Sequence, residues 1–225
     1  LGQGVGGPLG FGLLDDLAGA DQYYVGGKYP DPYDDSPGYS GFGQGAGIGP
    51  RGTANGGIGI LLDGGGDDLY ESDCFAHGGA YWFAAGFARD FGGNDRRIGA
   101  TLTAFDGGER SEKRFVRYGV GYACHYAVSA IYDDAGDDTY FADFAGPTFA
   151  WDVAVTAIAD FGGNDRYETP GHGLAAAHNA ALSVLFDAAG DDVYAGRAPV
   201  AIEEQAQYHP ADNRARNFGF LIDLG

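Results

Sequence analysis

An eight-residue motif that returns at a fixed spacing constrains the fold of this chain more than any other feature. It reads Asp-x-x-Gly-(Asp/Asn)-Asp-x-Tyr, and its positions are numbered one to eight below. Close copies begin at Asp63, Asp90, Asp133, Asp160 and Asp187, and a degenerate copy begins at Asp16. Neighbouring copies lie 27 residues apart, or one such period apart with an insertion. A fixed period of this length is typical of repeat proteins, in which each unit stacks on the next.

The segment before each motif predicts a strand. In the three cleanest copies the residues six, four and two places before the first Asp match in size from repeat to repeat. They are Ala127, Ala154 and Ala181, then Ser129, Thr156 and Ser183, then Ile131, Ile158 and Leu185. Alternation and β-branching favour strand over helix, even in the Ala-rich stretch around Ala181. We therefore predict an all-β parallel β-solenoid with coils of about 27 residues and Asp/Gly turns.

The prediction for domain organisation is one repeat domain over residues 1–225. Three stretches break the period and are expected to be loops on one face: residues 29–41, 108–117 and 197–214. Cys74 and Cys124 form no CxxC pair, so they are either one disulfide or two buried thiols.

Charge and hydropathy limit the partners of the chain. The formal net charge is −19, which disfavours nucleic acid and anionic membranes and favours cations or basic proteins. Hydrophobic residues make up 44%, too many for a disordered chain, yet no apolar run approaches the ~18 residues of a membrane span. The chain starts at Leu1 with no visible signal peptide, so we expect a processed form or a fragment.

The acidic turns have two interpretations. Gly at position four can supply a positive φ, with Asp or Asn side chains bonding the amides of their own turn. Stacking, however, would place equivalent carboxylates roughly 5 Å apart, where two unit charges repel by about 3 kcal/mol at an effective dielectric near 20. A bound cation removes that penalty, and hard oxygen ligands suit Ca²⁺. The predicted metal-binding residues are Asp16, Asp21, Asp63, Asp67, Asp68, Asp90, Asp95, Asp133, Asp137, Asp138, Asp160, Asp165, Asp187, Asp191 and Asp192.

The turns "GGNDRY" and "AGDDTY" resemble the calcium-binding repeats of the repeats-in-toxin (RTX) family, and also Asp/Gly-rich repeats of uncharacterised secreted bacterial proteins. RTX nonapeptides wind a parallel β-roll around Ca²⁺. The resemblance covers about eight residues in each 27, without tandem nonapeptides and with an additional Asp that opens each motif. It implies that the metal-bound Asp of the family corresponds to Asp68, Asp95, Asp138, Asp165 and Asp192.

Two functional hypotheses follow. The first is a secreted, calcium-binding structural protein at the cell surface or in an extracellular filament, which associates with itself end to end. The second is a β-helical protein that binds or degrades polysaccharide. Its candidate residues are His125, Asp152 and Asn179, which share one place in three successive repeats and are also explained as a polar corner. No nucleophile elbow, Walker loop or HExxH motif is present, and the position-eight tyrosines are expected to stack as packing.

Overall fold

The fold is all-β in this computed structural model. It describes residues 2–26, 29–30, 39–99, 118–143, 145–171, 173–196, 201–202 and 216–225. These residues contain strands and turns but no helix, and therefore no helix that could cross a membrane.

The strands are short and follow the period of the sequence. In chain order they are β1 (Phe11–Asp16), β2 (Gln22–Val25), β3 (Tyr29–Pro30), β4 (Tyr39–Ser40), β5 (Gly47–Ile48), β6 (Ile58–Asp63), β7 (Leu69–Ser72), β8 (Ala80–Tyr81), β9 (Ala85–Asp90), β10 (Arg96–Gly99), β11 (Tyr122–Cys124), β12 (Val128–Asp133), β13 (Thr139–Ala142), β14 (Phe149–Trp151), β15 (Val155–Asp160), β16 (Arg166–Glu168), β17 (Ala176–His178), β18 (Leu182–Asp187), β19 (Val193–Ala195), β20 (Ala201–Ile202) and β21 (Phe218–Asp223).

Nineteen of these strands form three parallel sheets. The motif sheet, whose strands end at position one of each motif, has the order β1-β6-β9-β12-β15-β18-β21. The tyrosine sheet, which carries position eight, has the order β19-β16-β13-β10-β7-β2, and the alanine sheet has the order β20-β17-β14-β11-β8-β5. From β5 to β21 the chain visits the alanine, motif and tyrosine sheets in turn, as a β-solenoid would.

The register pairs equivalent residues of successive repeats. Ile131 lies beside Ile158, which lies beside Leu185. Strand β9 pairs directly with β12, so Asp90 lies beside Asp133 although 43 residues separate them in the sequence. The strand prediction for the segments before each motif is confirmed.

Alternate residues of the motif sheet point into the core. Ile131, Ile158 and Leu185 are fully buried with the position-eight tyrosines, because a strand turns successive side chains to opposite faces. Ser129 also points inward, and its hydroxyl lies 2.7 Å from that of Thr156. Ser129 therefore bonds to its copy in the next repeat, whereas the hydroxyl of Ser183 lies 2.6 Å from that of Thr148.

The predicted insertions fall largely outside the described residues. Of 29–41, the ends form the antiparallel pair β3 and β4, while 108–117 and most of 197–214 are not described. The first two insertions join a tyrosine-sheet strand to an alanine-sheet strand. Cys74 and Cys124 are buried and form no disulfide, so the disulfide alternative is wrong.

Candidate metal centre

The first Asp of each motif ends a strand of the motif sheet, and these residues stack in register. Asp63, Asp90, Asp133, Asp160 and Asp187 are all fully buried. In four of them, all but Asp133, the Oδ1 atom accepts a hydrogen bond from the amide two residues later, at 3.0 Å from Gly65 to Asp63 and at 3.2 Å from Gly162 to Asp160. Asp133 Oδ1 is buried without a hydrogen-bond partner among the described residues. The interpretation that these side chains bond their own turn is correct for the other four.

Glycine at position four lets successive turns approach closely. Gly163 has φ +153°, and a Cβ there would overlap the carbonyl oxygen of Gly136 in the preceding repeat. The same overlap recurs at Gly66, Gly93, Gly136 and Gly190. A side chain is excluded at this position because the backbones of adjacent turns touch, and that contact holds the neighbouring acidic residues one strand spacing apart.

The Asp side chain at position six accepts a hydrogen bond from the preceding repeat rather than from its own turn. Asp165 Oδ1 accepts a hydrogen bond from the amide of Asp138 at 2.7 Å, and Asp138 Oδ1 accepts one from the amide of Asp95 at 2.6 Å. The other oxygen, Oδ2, is buried without a hydrogen-bond partner among the described residues. This holds for Asp68, Asp95, Asp138, Asp165 and Asp192. Because an unpaired buried oxygen costs free energy, this column has unused capacity to bind a proton or a cation.

Positions one and six together form four clusters of three carboxylates. Within each cluster, one oxygen atom per residue lies within 4.8 Å of the others. The clusters are Asp63, Asp68 and Asp90; Asp90, Asp95 and Asp133; Asp138, Asp160 and Asp165; and Asp165, Asp187 and Asp192. Several of these clusters could hold a metal ion.

Burial disfavours the charged form of these carboxyl groups. Desolvation raises the pKa of Asp68 to about 6, of Asp138 to about 7 and of Asp165 to about 8. It also raises the pKa of Asp95 to about 10 and that of Asp133 to about 9. Neighbouring carboxylates add to the shift at Asp165, after desolvation. Without a cation, carboxyl groups such as Asp138 and Asp165 therefore retain protons near neutral pH.

The tyrosines at position eight do more than pack. Tyr140 and Tyr167 stack with ring centroids 4.9 Å apart and planes 7° apart, which confirms the predicted aromatic ladder. Their hydroxyls also donate hydrogen bonds to position one of the next repeat, at 2.7 Å to Asp160 and 2.7 Å to Asp187. Sequence reasoning missed this contact, although the recurrence of Tyr seven residues after the first Asp, in every motif copy except that of Arg97, was a signal for it.

Arg97 replaces tyrosine at position eight of one repeat and lies inside the column. Its Nη2 atom is 3.2 Å from Asp133 Oδ2, 3.4 Å from Asp90 Oδ2 and 3.9 Å from Asp95 Oδ2. Its guanidinium carbon lies 4.0 Å from the ring centroid of Tyr70. Arg97 is the only buried Lys or Arg in the described part of the chain. In the sequence, Arg97 stood out only because it replaces the tyrosine found at position eight in the other copies of the motif.

Position five forms a separate, exposed ladder. The amide and the Nδ2 group of Asn94 donate to Asp67 Oδ1 at 2.8 and 3.1 Å, and the amide of Asp137 donates to Asn94 Oδ1 at 2.9 Å. The same pattern continues through Asn164 to Asp191. Three predicted metal ligands, Asp67, Asp137 and Asp191, therefore lie in this ladder and outside the four clusters.

The first motif copy also lies apart from the clusters. Neither Asp16 nor Asp21 belongs to any of the four. Asp16 accepts a hydrogen bond from the hydroxyl of Tyr23 at 3.0 Å, as position one does in other repeats.

The three candidate glycan-binding residues do meet, but they are mostly enclosed. His125 Nδ1 lies 2.7 Å from Asp152 Oδ2, and Asn179 Nδ2 donates to Asp152 Oδ1 at 2.9 Å. His125 and Asp152 are only 4% and 3% exposed. Two surface depressions, one beside Phe83 and one beside Phe42, are lined by other residues. This geometry favours the polar-corner interpretation.

Comparison with known proteins gave no assignment: no family model, no curated protein and no solved structure matched the chain. The function is therefore inferred from the chemistry of the carboxylate column.

Proposed function

We propose that this chain is a calcium-binding β-solenoid with a structural role. In this proposal the three sheets are faces of one coil of about 27 residues, and the clusters of position-one and position-six carboxylates hold Ca²⁺. The observation that carries the proposal is the row of buried Oδ2 atoms at position six that have no hydrogen-bond partner among the described residues. Each belongs to an acidic cluster, so the unused hydrogen-bonding capacity and the excess negative charge occur at the same place.

The donor set favours calcium among common metals. It consists of carboxylate oxygens, with no cysteine or histidine in any of the four clusters. Hard oxygen ligands suit Ca²⁺, which accepts six to eight of them in flexible geometry, whereas Mg²⁺ prefers to keep several waters. Bound calcium would supply the positive charge that buried carboxylates need.

A structural role explains why the acidic residues repeat along the whole stack rather than converge on one cleft. Extracellular calcium modules bind at about 10⁻⁴–10⁻³ M, so a stack of such sites would be filled outside a cell. We propose a cell-surface or extracellular location on that ground. Among the described strands, β1 and β21 pair on one side only, and parallel addition of another copy at such an edge would give the end-to-end assembly expected from the sequence.

A thermal melt with and without chelator tests the calcium proposal. A single site filled at 100 times its dissociation constant stabilises the fold by about 2.7 kcal/mol, so several sites should raise the unfolding midpoint by many degrees. Magnesium at the same concentration is the control and should give a smaller shift. An unfolding midpoint that does not respond to calcium between pH 7 and 8 would contradict the proposal.

A further inference from the structure

Arg97 lies where a cation would otherwise be needed. The register places Arg97 directly between Tyr70 and Tyr140 in the tyrosine sheet. Among the described residues, a basic side chain lies within 4 Å of all three carboxylates in only one of the four acidic clusters, that of Asp90, Asp95 and Asp133.

We infer that Arg97 takes the place of one metal ion. This inference rests on the proposed function. A guanidinium already neutralises part of the charge of Asp90, Asp95 and Asp133, and it fills the space between them. A divalent ion at the same cluster would face that fixed positive charge at close range. The column therefore binds metal at three clusters, and the Arg97 side chain occupies the fourth.

The packing around Arg97 supports a permanent role. The side chain is 1% exposed, and its planar group stacks on Tyr70 as a tyrosine does in other repeats. Its charge is permanent, because an arginine guanidinium stays protonated in proteins. Arg97 thus supplies a fixed positive charge at one level of the stack, whether or not metal is present elsewhere.

Counting bound calcium in Arg97→Tyr tests the inference. Tyrosine is the residue that the other repeats carry at this position, so the variant should stack and fold. Equilibrium dialysis against Ca²⁺ with native mass spectrometry should find three ions in the wild-type chain and four in Arg97→Tyr. Arg96→Tyr is the matched control, since Arg96 is the adjacent residue on the same strand but is exposed, and it should keep three.

The outcomes separate this inference from the proposed function. Three ions in both the wild type and Arg97→Tyr, or four in the wild type, would overturn the role of Arg97 and leave calcium binding intact. A wild-type chain that binds none would overturn both. If Arg97→Tyr does not fold, the wild-type count decides between three and four, and Arg97→Lys should match it.

A second, independent observation concerns the outer face of the motif sheet. Each of its seven strands turns three residues outward, and among all of these only Asp15 and Arg89 are charged. Val128 is 54% exposed, and Phe218 is 48% exposed. Arg89 is paired with Asp134 at 2.7 Å. A continuous apolar face of this kind is unusual for a protein surface and marks a contact site.

We propose that a second copy of this chain covers the face. Seven strands spaced about 4.8 Å apart and six residues long at about 3.3 Å each give roughly 600 Å². Two such faces would bury roughly 1,200 Å² in total, the lower end for a specific interface. The net charge of −19 makes other faces of two copies repel each other, whereas this face carries one charge of each sign.

Sedimentation of the calcium-loaded chain over a concentration series tests the pairing. The wild type should form dimers, and Val155→Lys should shift the dissociation constant upward at least tenfold. Val193→Lys is the control, because Val193 is similarly exposed but lies on the tyrosine sheet. A wild type that stays monomeric at about 100 μM, or that dimerises equally well as Val155→Lys, would overturn the proposal, as would binding to neutral lipid vesicles in place of dimers.

Discussion

Two acidic columns run side by side through this protein, one residue apart in the sequence, and they handle their charge differently. The outer column at position five is exposed and alternates Asp67, Asn94, Asp137, Asn164 and Asp191, so each carboxylate has an amide as neighbour. The inner column at position six is Asp in every repeat and buried in most of them. The outer column is satisfied by its own hydrogen bonds, whereas the inner one retains an unpaired oxygen in each repeat from Asp68 to Asp192.

The comparison shows that stacking alone does not require a metal. Carboxylates can stack in water when an amide separates them, because the amide donates to the carboxylate and carries no charge. In the buried inner column, neither solvent nor alternating amide side chains reduce the repulsion between the carboxylates. The requirement for a proton, an arginine or a metal ion therefore belongs to the inner column.

The largest expected effect comes from breaking both columns together. Gly163→Ala should destabilise the fold by more than about 4 kcal/mol, because the new Cβ would overlap the carbonyl oxygen of Gly136 at a positive φ. Gly162→Ala is the matched control, since that position is open and has no positive φ, and it should change stability by less than about 1 kcal/mol. Urea unfolding of both variants measures the difference; similar midpoints would refute the close backbone approach.

Changing the pH without metal should act on the buried carboxyl groups of positions one and six and not on the exposed outer column. The folded-state pKa values of Asp68, Asp138 and Asp165 are raised to about 6, 7 and 8, above the ordinary value near 4. Folding therefore favours proton uptake. This contribution is complete below about pH 4 and is lost as pH rises through about 6 to 8 at these three residues and through about 9 and 10 at Asp133 and Asp95. In chelator, the unfolding midpoint should fall across that range, and calcium should restore it. A midpoint that rises with pH in chelator would contradict the assignment.

One matched pair of substitutions sharpens the comparison further. Asp165→Asn removes a charge shared by two clusters but keeps an oxygen for the amide of Asp138, so calcium affinity should fall at least tenfold. In chelator at pH 8 the same variant should be more stable than the wild type. Asp137→Asn makes the same chemical change in the outer column and should leave calcium titrations unchanged. Equal losses in both variants would show that the columns do not differ as described.

The smallest effect is expected from disturbing the outer alternation. Asn164→Asp would place three carboxylates in succession and remove the hydrogen bond from Asn164 Nδ2 to Asp137, which is 3.0 Å long. We expect a loss of about 0.5–1 kcal/mol in low salt, reduced in 0.5 M NaCl because exposed charges are screened. Urea unfolding at the two salt concentrations checks this, and a loss that does not depend on salt would assign the effect to the hydrogen bond alone.

Much of the fold could be predicted because its determinants are local and repeated. The period, the strands that end at position one and the requirement for glycine at position four all appear in the sequence, since each repeat must fit against its own copies. The same reasoning grouped position five with positions one and six as metal ligands. Sequence reasoning could not distinguish position five from position six, because both are aspartate, as at Asp67 and Asp68. The two side chains differ only in that they leave the backbone in opposite directions.

The amino-acid pattern is sufficient to predict a stack of 27-residue units with acidic glycine turns, because one residue size and one turn recur at one spacing. The three-dimensional arrangement was needed to show which carboxylates face inward, that Arg97 lies among three of them, and that His125 and Asp152 are enclosed. The physical reason is that these properties arise between repeats. An amide of Asp138 meets the side chain of Asp165 only when two turns 27 residues apart come into backbone contact.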